Sequence, residues 1–155
     1  MLEAGDRAPA FTLPDQDGNK VKLTELKGET VVLYFYPRAD TPGCTTQACG
    51  VRDRGTDYER AGIRVIGISP DTVEAQRKFA DKFDLKFTLL ADADHAVAEK
   101  YGAWVEKSMY GRKYWGVARS TFIVDPKGKI AKVFPKVSPK THDDVVLKAL
   151  GELAA

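Results

Sequence analysis

The chain has 155 residues, is 43% hydrophobic and 30% charged, and carries a formal net charge of +2, an ordinary composition for one globular domain spanning residues 1–155. So mild a charge, without any block of like charges, gives no reason to expect a nucleic acid or a membrane surface as partner. No apolar run approaches the roughly 20 residues of a bilayer span.

In chain order, Phe11-Thr12-Leu13-Pro14 and Lys20-Val21-Lys22-Leu23 flank an Asp17-Gly18 turn signal and predict an N-terminal β-hairpin. Thr30-Val31-Val32-Leu33-Tyr34-Phe35-Tyr36 is a continuous β-branched and aromatic run, the pattern of a strand buried on both faces. Pro37 ends it. Asp40 or Thr41 then caps a helix with Pro42 at its first position, running to about Arg60 and stopped by Ala61-Gly62. Ile63–Ile68 reads as a second buried strand, followed by a helix whose core stripe is Ala75, Phe79 and Phe83. A short strand at Phe87–Leu90 and a short helix from Ala93 to Tyr101 come next. Residues 102–118 read as irregular, with Trp104, Tyr110, Tyr114 and Trp115 as loop packing. Ser120–Val124 and Ile130–Phe134 pair across Asp125-Pro126-Lys127-Gly128, and a closing helix from about His142 buries Val146, Ala149, Leu150 and Leu153. The order predicts an α/β fold, a mixed central sheet flanked by helices.

The chemistry concentrates in Asp40-Thr41-Pro42-Gly43-Cys44-Thr45-Thr46-Gln47-Ala48-Cys49-Gly50, which holds the only two cysteines. Two cysteines cannot staple a chain of this length. The N-terminus, MLEAGDRAPAF, has neither the basic start nor the apolar segment of a signal peptide, so the expected setting is the cytoplasm. There, a close cysteine pair points to catalysis, redox sensing or metal.

Cys44 falls in the first turn of a helix, where unpaired N–H groups and the positive dipole end favour an anion. The thiolate is the reactive form. Pro37-x-x-x-Thr41-x-x-Cys44 sets a hydroxyl three residues before the sulfur and a proline to wall the site against water. A small buried filler is the bland alternative for Cys44. Positions five apart on a helix differ by about 140° in direction, and their Cα atoms lie about 8.6 Å apart. That exceeds the reach of a disulfide, so bonding Cys44 to Cys49 requires the helix start to unwind. Gly43 and Gly50 bracket the pair and are expected to weaken it. Zinc is disfavoured: the spacing is wrong, and the other soft ligands, His95 and His142, are expected in solvated helical positions.

FYPRADTPGCTTQACGVRD resembles the active-site segment of peroxiredoxins, in particular the bacterioferritin comigratory protein or peroxiredoxin Q subgroup. Gly5-Asp6-x-Ala8-Pro9-x-Phe11 resembles the family's start, and Val117-Ala118-Arg119-Ser120-Thr121-Phe122-Ile123-Val124-Asp125 its later arginine-bearing strand. The resemblance implies a thioredoxin-like fold and a thiol peroxidase for hydrogen peroxide and organic hydroperoxides. Cys44 would be the peroxidatic cysteine, becoming a sulfenic acid, and Cys49 the resolving one, closing an intramolecular disulfide. Thr41 would orient the peroxide, Pro37 would shield the pocket, and Arg119 would favour the thiolate and polarise the O–O bond. Outside the family pattern, Arg119 reads as a surface cation on an edge strand, and Arg52 as part of a solvated helix face within approach of the site. The resemblance further implies thioredoxin or a similar dithiol as electron donor, no cofactor or metal, and a monomer, with a dimer as the alternative. The rival functions are a thiol-disulfide oxidoreductase, which the spacing opposes, and a non-catalytic redox sensor built on the same meltable helix.

Overall fold

The run from Thr30 becomes the middle strand of the molecule because its alternate side chains are apolar on both sides. Val31, Leu33 and Phe35 enter one core, while Val32, Tyr34 and Tyr36 enter another, which also receives Cys44. A computed structural model describes residues 1–154. In it the N-terminal hairpin joins β1 (Thr12–Pro14) to β2 (Lys20–Lys22), and a 3-10 turn at Leu23–Leu26 leads to β3 (Thr30–Phe35). Helices α1 (Pro42–Asp53) and α2 (Gly55–Arg60) precede β4 (Ile63–Ser69). Then come α3 (Val73–Phe83), β5 (Thr88–Ala91) and α4 (Ala96–Lys100). Strands β6 (Trp104–Met109), β7 (Arg112–Val117), β8 (Ser120–Val124) and β9 (Ile130–Phe134) lead to α5 (His142–Ala154).

The central sheet has the order β5-β4-β3-β8-β9, with β3, β4 and β5 parallel and β8 and β9 antiparallel to their neighbours. Helices α1, α2, α3 and α5 cover the Tyr34 side, and the N-terminal segment with α4 covers the Leu33 side. The mixed sheet, its flanking helices and the N-terminal hairpin match the expected thioredoxin-like plan.

Five expectations change. Residues 102–118 are an antiparallel hairpin, Trp104 facing Val117 and Met109 facing Arg112. Its two-residue turn, Tyr110-Gly111, has φ of 52° and 78°, the left-handed pair that such a turn needs. A tyrosine in the first of those places gives no turn signal in sequence. The helix expected over 42–60 breaks at Arg54 (φ −96°, ψ 12°), which separates α1 from α2. In α3 the buried stripe is Gln76, Phe79 and Ala80, with Ala75 and Phe83 only half-buried. Leu153 is exposed, because α5 turns it outward beyond Leu150. Finally, His142 is not solvated as expected, whereas His95 keeps about a third of its side chain (36%) exposed. His142 is buried with Nε2 2.9 Å from Thr121 Oγ1, and the His95 ring stacks on Trp104 at 3.8 Å between centroids.

Candidate active site

The loop after β3 is fixed before the helix starts. Ala39 N–H donates to Asp71 Oδ2 at 2.8 Å, and Ser69 Oγ donates to the same carboxylate oxygen at 2.6 Å. Asp40 takes a left-handed φ of 57° and pairs with Lys82 at 3.0 Å. These contacts turn the chain so that Thr41 becomes the N-cap of α1 and Pro42 its first residue. The Thr41 side chain does not cap the helix; its hydroxyl donates to the Arg38 carbonyl at 2.8 Å. Pro37 is half-buried at the end of β3.

Cys44 is the third residue of α1 and is 2% exposed, its sulfur pressed into the core beneath the helix. No acidic residue occupies the first turn, so nothing on the helix competes with a thiolate for the free N–H groups. Arg119 leaves the chain between β7 and β8 and reaches the same point. Its Nη2 donates to Cys44 Sγ at 3.3 Å, and its Nη1 donates to Gln47 Oε1 at 2.7 Å. A guanidinium and a helix start thus face one sulfur, the electrostatics a reactive thiolate needs.

Gln47 carries this arrangement and gave no signal as a site residue in the sequence. It sits one turn after Cys44, is fully buried, and its Nε2 has no hydrogen-bond partner. Its spacing of three from Cys44 placed it on the same helix face. Gly43 is explained by close approach: a Cβ there would stand 3.1 Å from Arg119 Nη2 and 3.5 Å from Pro139 Cγ.

Both thiols are free in the intact helix α1, Cys44 buried and Cys49 half-buried. Gly50, next to Cys49, has the Asp143 carboxylate where a Cβ would go. Asp143 is itself buried and accepts the Tyr58 hydroxyl at 2.6 Å. The C-terminal half of α1 is thereby pinned to α5, while its first turn rests on Arg119 and Pro139. Arg52 is committed to Asp53 and to the Phe83 carbonyl at 2.7 Å, not to Cys44. Structure therefore brings Cys44 and Arg119 together, sets Cys49 along the same helix, and leaves Thr41 and Pro37 at its threshold.

On the hairpin, Lys107 is half-buried. Desolvation holds its ammonium below the ordinary lysine range, the nearby Arg119 charge adds to that, and Cys44 pulls the other way. Beneath Cys44 on the sheet are Tyr34 and Tyr36, whose phenols burial pushes up.

A model of the AhpC/TSA family matches residues 4–133. Peroxiredoxin Bcp of Escherichia coli K12 is 52% identical over 153 residues, covering 99% of this chain and 98% of that protein. A putative peroxiredoxin of Mycobacterium tuberculosis is 54% identical over 141 residues, 91% of this chain and 90% of its own. Among solved structures, the bacterioferritin comigratory protein of Xanthomonas campestris, studied for its alkyl peroxide reduction activity, superposes with a TM-score of 0.92 at 32% identity, covering 99% of this chain and all (100%) of that one. PrxQ of Xylella fastidiosa, as a cysteine-to-serine mutant, gives 0.94 at 27% identity over 100% and 99% of the two chains.

Proposed function

The chain belongs to the AhpC/TSA family and is a peroxiredoxin, and from that premise we propose that Cys44 is the attacking thiolate of its peroxidase cycle and Cys49 the thiol that resolves it. As a peroxiredoxin it consumes a hydroperoxide and is restored by a reductant. The observation that carries the assignment is the 3.3 Å contact from Arg119 to Cys44 Sγ at the start of α1.

The geometry supports the following cycle. Cys44 attacks one peroxide oxygen, forms an S–O bond and expels water or an alcohol, becoming a sulfenic acid. Arg119 is placed to stabilise charge on the departing oxygen. Thr41 borders the approach with two free lone pairs on its hydroxyl, and Pro37 limits water. Cys49 cannot reach Cys44 in an intact helix, since residues five apart keep their Cα atoms about 8.6 Å apart. The first turns of α1 must therefore open, after which the Cys49 thiol displaces water from the sulfenic acid and forms the disulfide. A dithiol protein of the thioredoxin type reduces it. Because both sulfurs belong to one helix of one chain, a monomeric, single-domain enzyme can complete the cycle. Two thiols kept reduced between turnovers suit the cytoplasm, and no helix among the described residues is long and apolar enough to cross a membrane.

Peroxide consumption coupled to thioredoxin, thioredoxin reductase and NADPH tests this directly. The wild-type protein turns over many times and Cys44→Ser not at all. Cys49→Ser loses turnover with thioredoxin and retains it with dithiothreitol. Turnover that persists in Cys44→Ser would contradict the assignment.

A further inference from the structure

Strand β3 ends at Phe35 and α1 begins at Pro42, and the short connection between them carries Pro37 and Thr41. A continuous run of hydrogen bonds ties it down from one side. Tyr36 Oη donates to Gln76 Oε1 at 2.6 Å. Gln76 Nε2 donates to Ser69 Oγ at 2.8 Å and to the Leu90 carbonyl at 2.9 Å, and Ser69 Oγ donates to Asp71 Oδ2 at 2.6 Å. The same carboxylate oxygen accepts the Ala39 N–H at 2.8 Å. Tyr36, Ser69 and Gln76 are buried, so the run is anchored in the core and ends on the half-buried Asp71.

A serine hydroxyl has one hydrogen; here it goes to Asp71, which leaves the Ser69 oxygen to accept from Gln76. The run thus points one way, from the tyrosine to the carboxylate, and bonds to an ionised acceptor are the strong ones. The other tie on the connection, Asp40 to Lys82 at 3.0 Å, is exposed on both sides (46% and 59%) and adds little. From Ala39 the connection runs straight into the helix. Thr41 Oγ1 donates to the Arg38 carbonyl at 2.8 Å, and the Thr41 carbonyl accepts the Thr45 N–H at 2.8 Å, closing the turn that contains Cys44.

We propose that Asp71 is a positioning residue for both chemical steps: it holds the start of α1 closed, which favours attack of Cys44 on peroxide and delays resolution by Cys49. This rests on Cys44 and Cys49 having the roles assigned above. Releasing the first turn of α1 moves Thr41 and the segment bonded to it, and the Ala39–Asp71 hydrogen bond breaks on opening. The peroxide step runs in the closed form, where Arg119 meets the sulfur; the resolution step runs through the open one. A contact that favours the closed form acts on the two with opposite sign. The delay also leaves the sulfenic acid open to a second hydroperoxide, which transfers one oxygen to it, giving sulfinic acid and water or an alcohol.

Single-turnover rapid quench with mass spectrometry separates the thiol, sulfenic, disulfide and sulfinic forms and times the two steps apart. In Asp71→Ala, oxidation by hydrogen peroxide should slow about fivefold or more, because Cys44 is held less well under Arg119. Its disulfide should form about 10- to 100-fold faster, the scale of one charge-assisted hydrogen bond, and less sulfinic acid should accumulate at high peroxide. Ser69→Ala removes the other donor to the same oxygen and should move both rates in these directions by smaller factors; it carries the test should Asp71→Ala fail to fold. Asp71→Asn keeps an acceptor oxygen and should stay within about threefold of the wild type in both steps. A general loss of stability would not split the steps in this way. Two rates that fall together, a disulfide formed no faster, or an Asp71→Asn variant as altered as Asp71→Ala overturns the proposal. A wild type that shows no oxidation at Cys44, or no bond from it to Cys49, overturns instead the assignment beneath it.

Discussion

Arg119 divides its guanidinium between Cys44 and Gln47, a fork that a lysine could not reproduce. Replacing Arg119 with methionine is expected to lower kcat/KM for peroxide by about 100- to 1,000-fold, the cost of losing a preorganised donor at a developing charge; steady-state kinetics of the purified variant checks it. Gly50 gives an opposite-sign test of what a helical glycine is for. Helix propensity alone would make Gly50→Ala stabilising by about 0.8–1 kcal/mol. The Asp143 carboxylate occupies the space that the new methyl needs, so the variant should instead lose about 1–3 kcal/mol by urea denaturation. A gain would mean that the α1–α5 contact is slack. Lys107 adds a pH signature. With its folded-state value held below the unfolded one, the folded chain binds fewer protons between the two values, so this residue's contribution to stability rises with pH across that interval. Below it, the half-buried cation opposes folding, and Lys107→Met should be the more stable protein at neutral pH. That advantage should shrink as the pH climbs toward the ordinary lysine range, as read from urea midpoints over a pH series.

At the scale of elements, the hairpin and α1 answer to different forces. Tyr110 holds a left-handed φ of 52° while almost wholly exposed, a conformation that costs a side-chain-bearing residue free energy without any packing in return. Tyr110→Asn supplies the Asn-Gly pair that such a turn favours and should raise Tm by about 2–4 °C; a drop in Tm on thermal unfolding would show that the tyrosine ring makes a contact that outweighs the strain. The hairpin was illegible in the sequence because its turn is signalled by that tyrosine and its strands carry mixed charge. Helix α1 was legible at its start, where Thr41, Pro42 and Cys44 follow a buried strand, and not at its break, because Arg54 departs from helical geometry with no proline to announce it. Its glycines were read as weak points in the helix; the structure adds a close neighbour to each, Arg119 Nη2 3.1 Å from a Cβ at Gly43 and the Asp143 carboxylate in the Cβ position at Gly50.

At the scale of the molecule, the central sheet is the platform on which α1 packs. Strand β3 is buried over Val31–Phe35, and its side chains alternate between the two cores, a pattern plainly written in the sequence. What the sequence could not show is tertiary. Arg119 lies 75 residues from Cys44 along the chain, and its reach to the sulfur depends on β3 pairing antiparallel with β8. Gln47 became visible as a site residue only once that arginine was in place. The opening proposed for Cys49 should leave this platform intact, with Val51, held in the core, and Gly50, against Asp143, marking where melting of the first turns of α1 is expected to stop. Hydrogen exchange measured over the whole chain, in the dithiol and disulfide forms, tests this most directly. Protection across residues 42–50 should fall sharply in the disulfide form while β3, β4 and β8 exchange at the same rate in both; equal protection of 42–50 in the two forms would contradict the account.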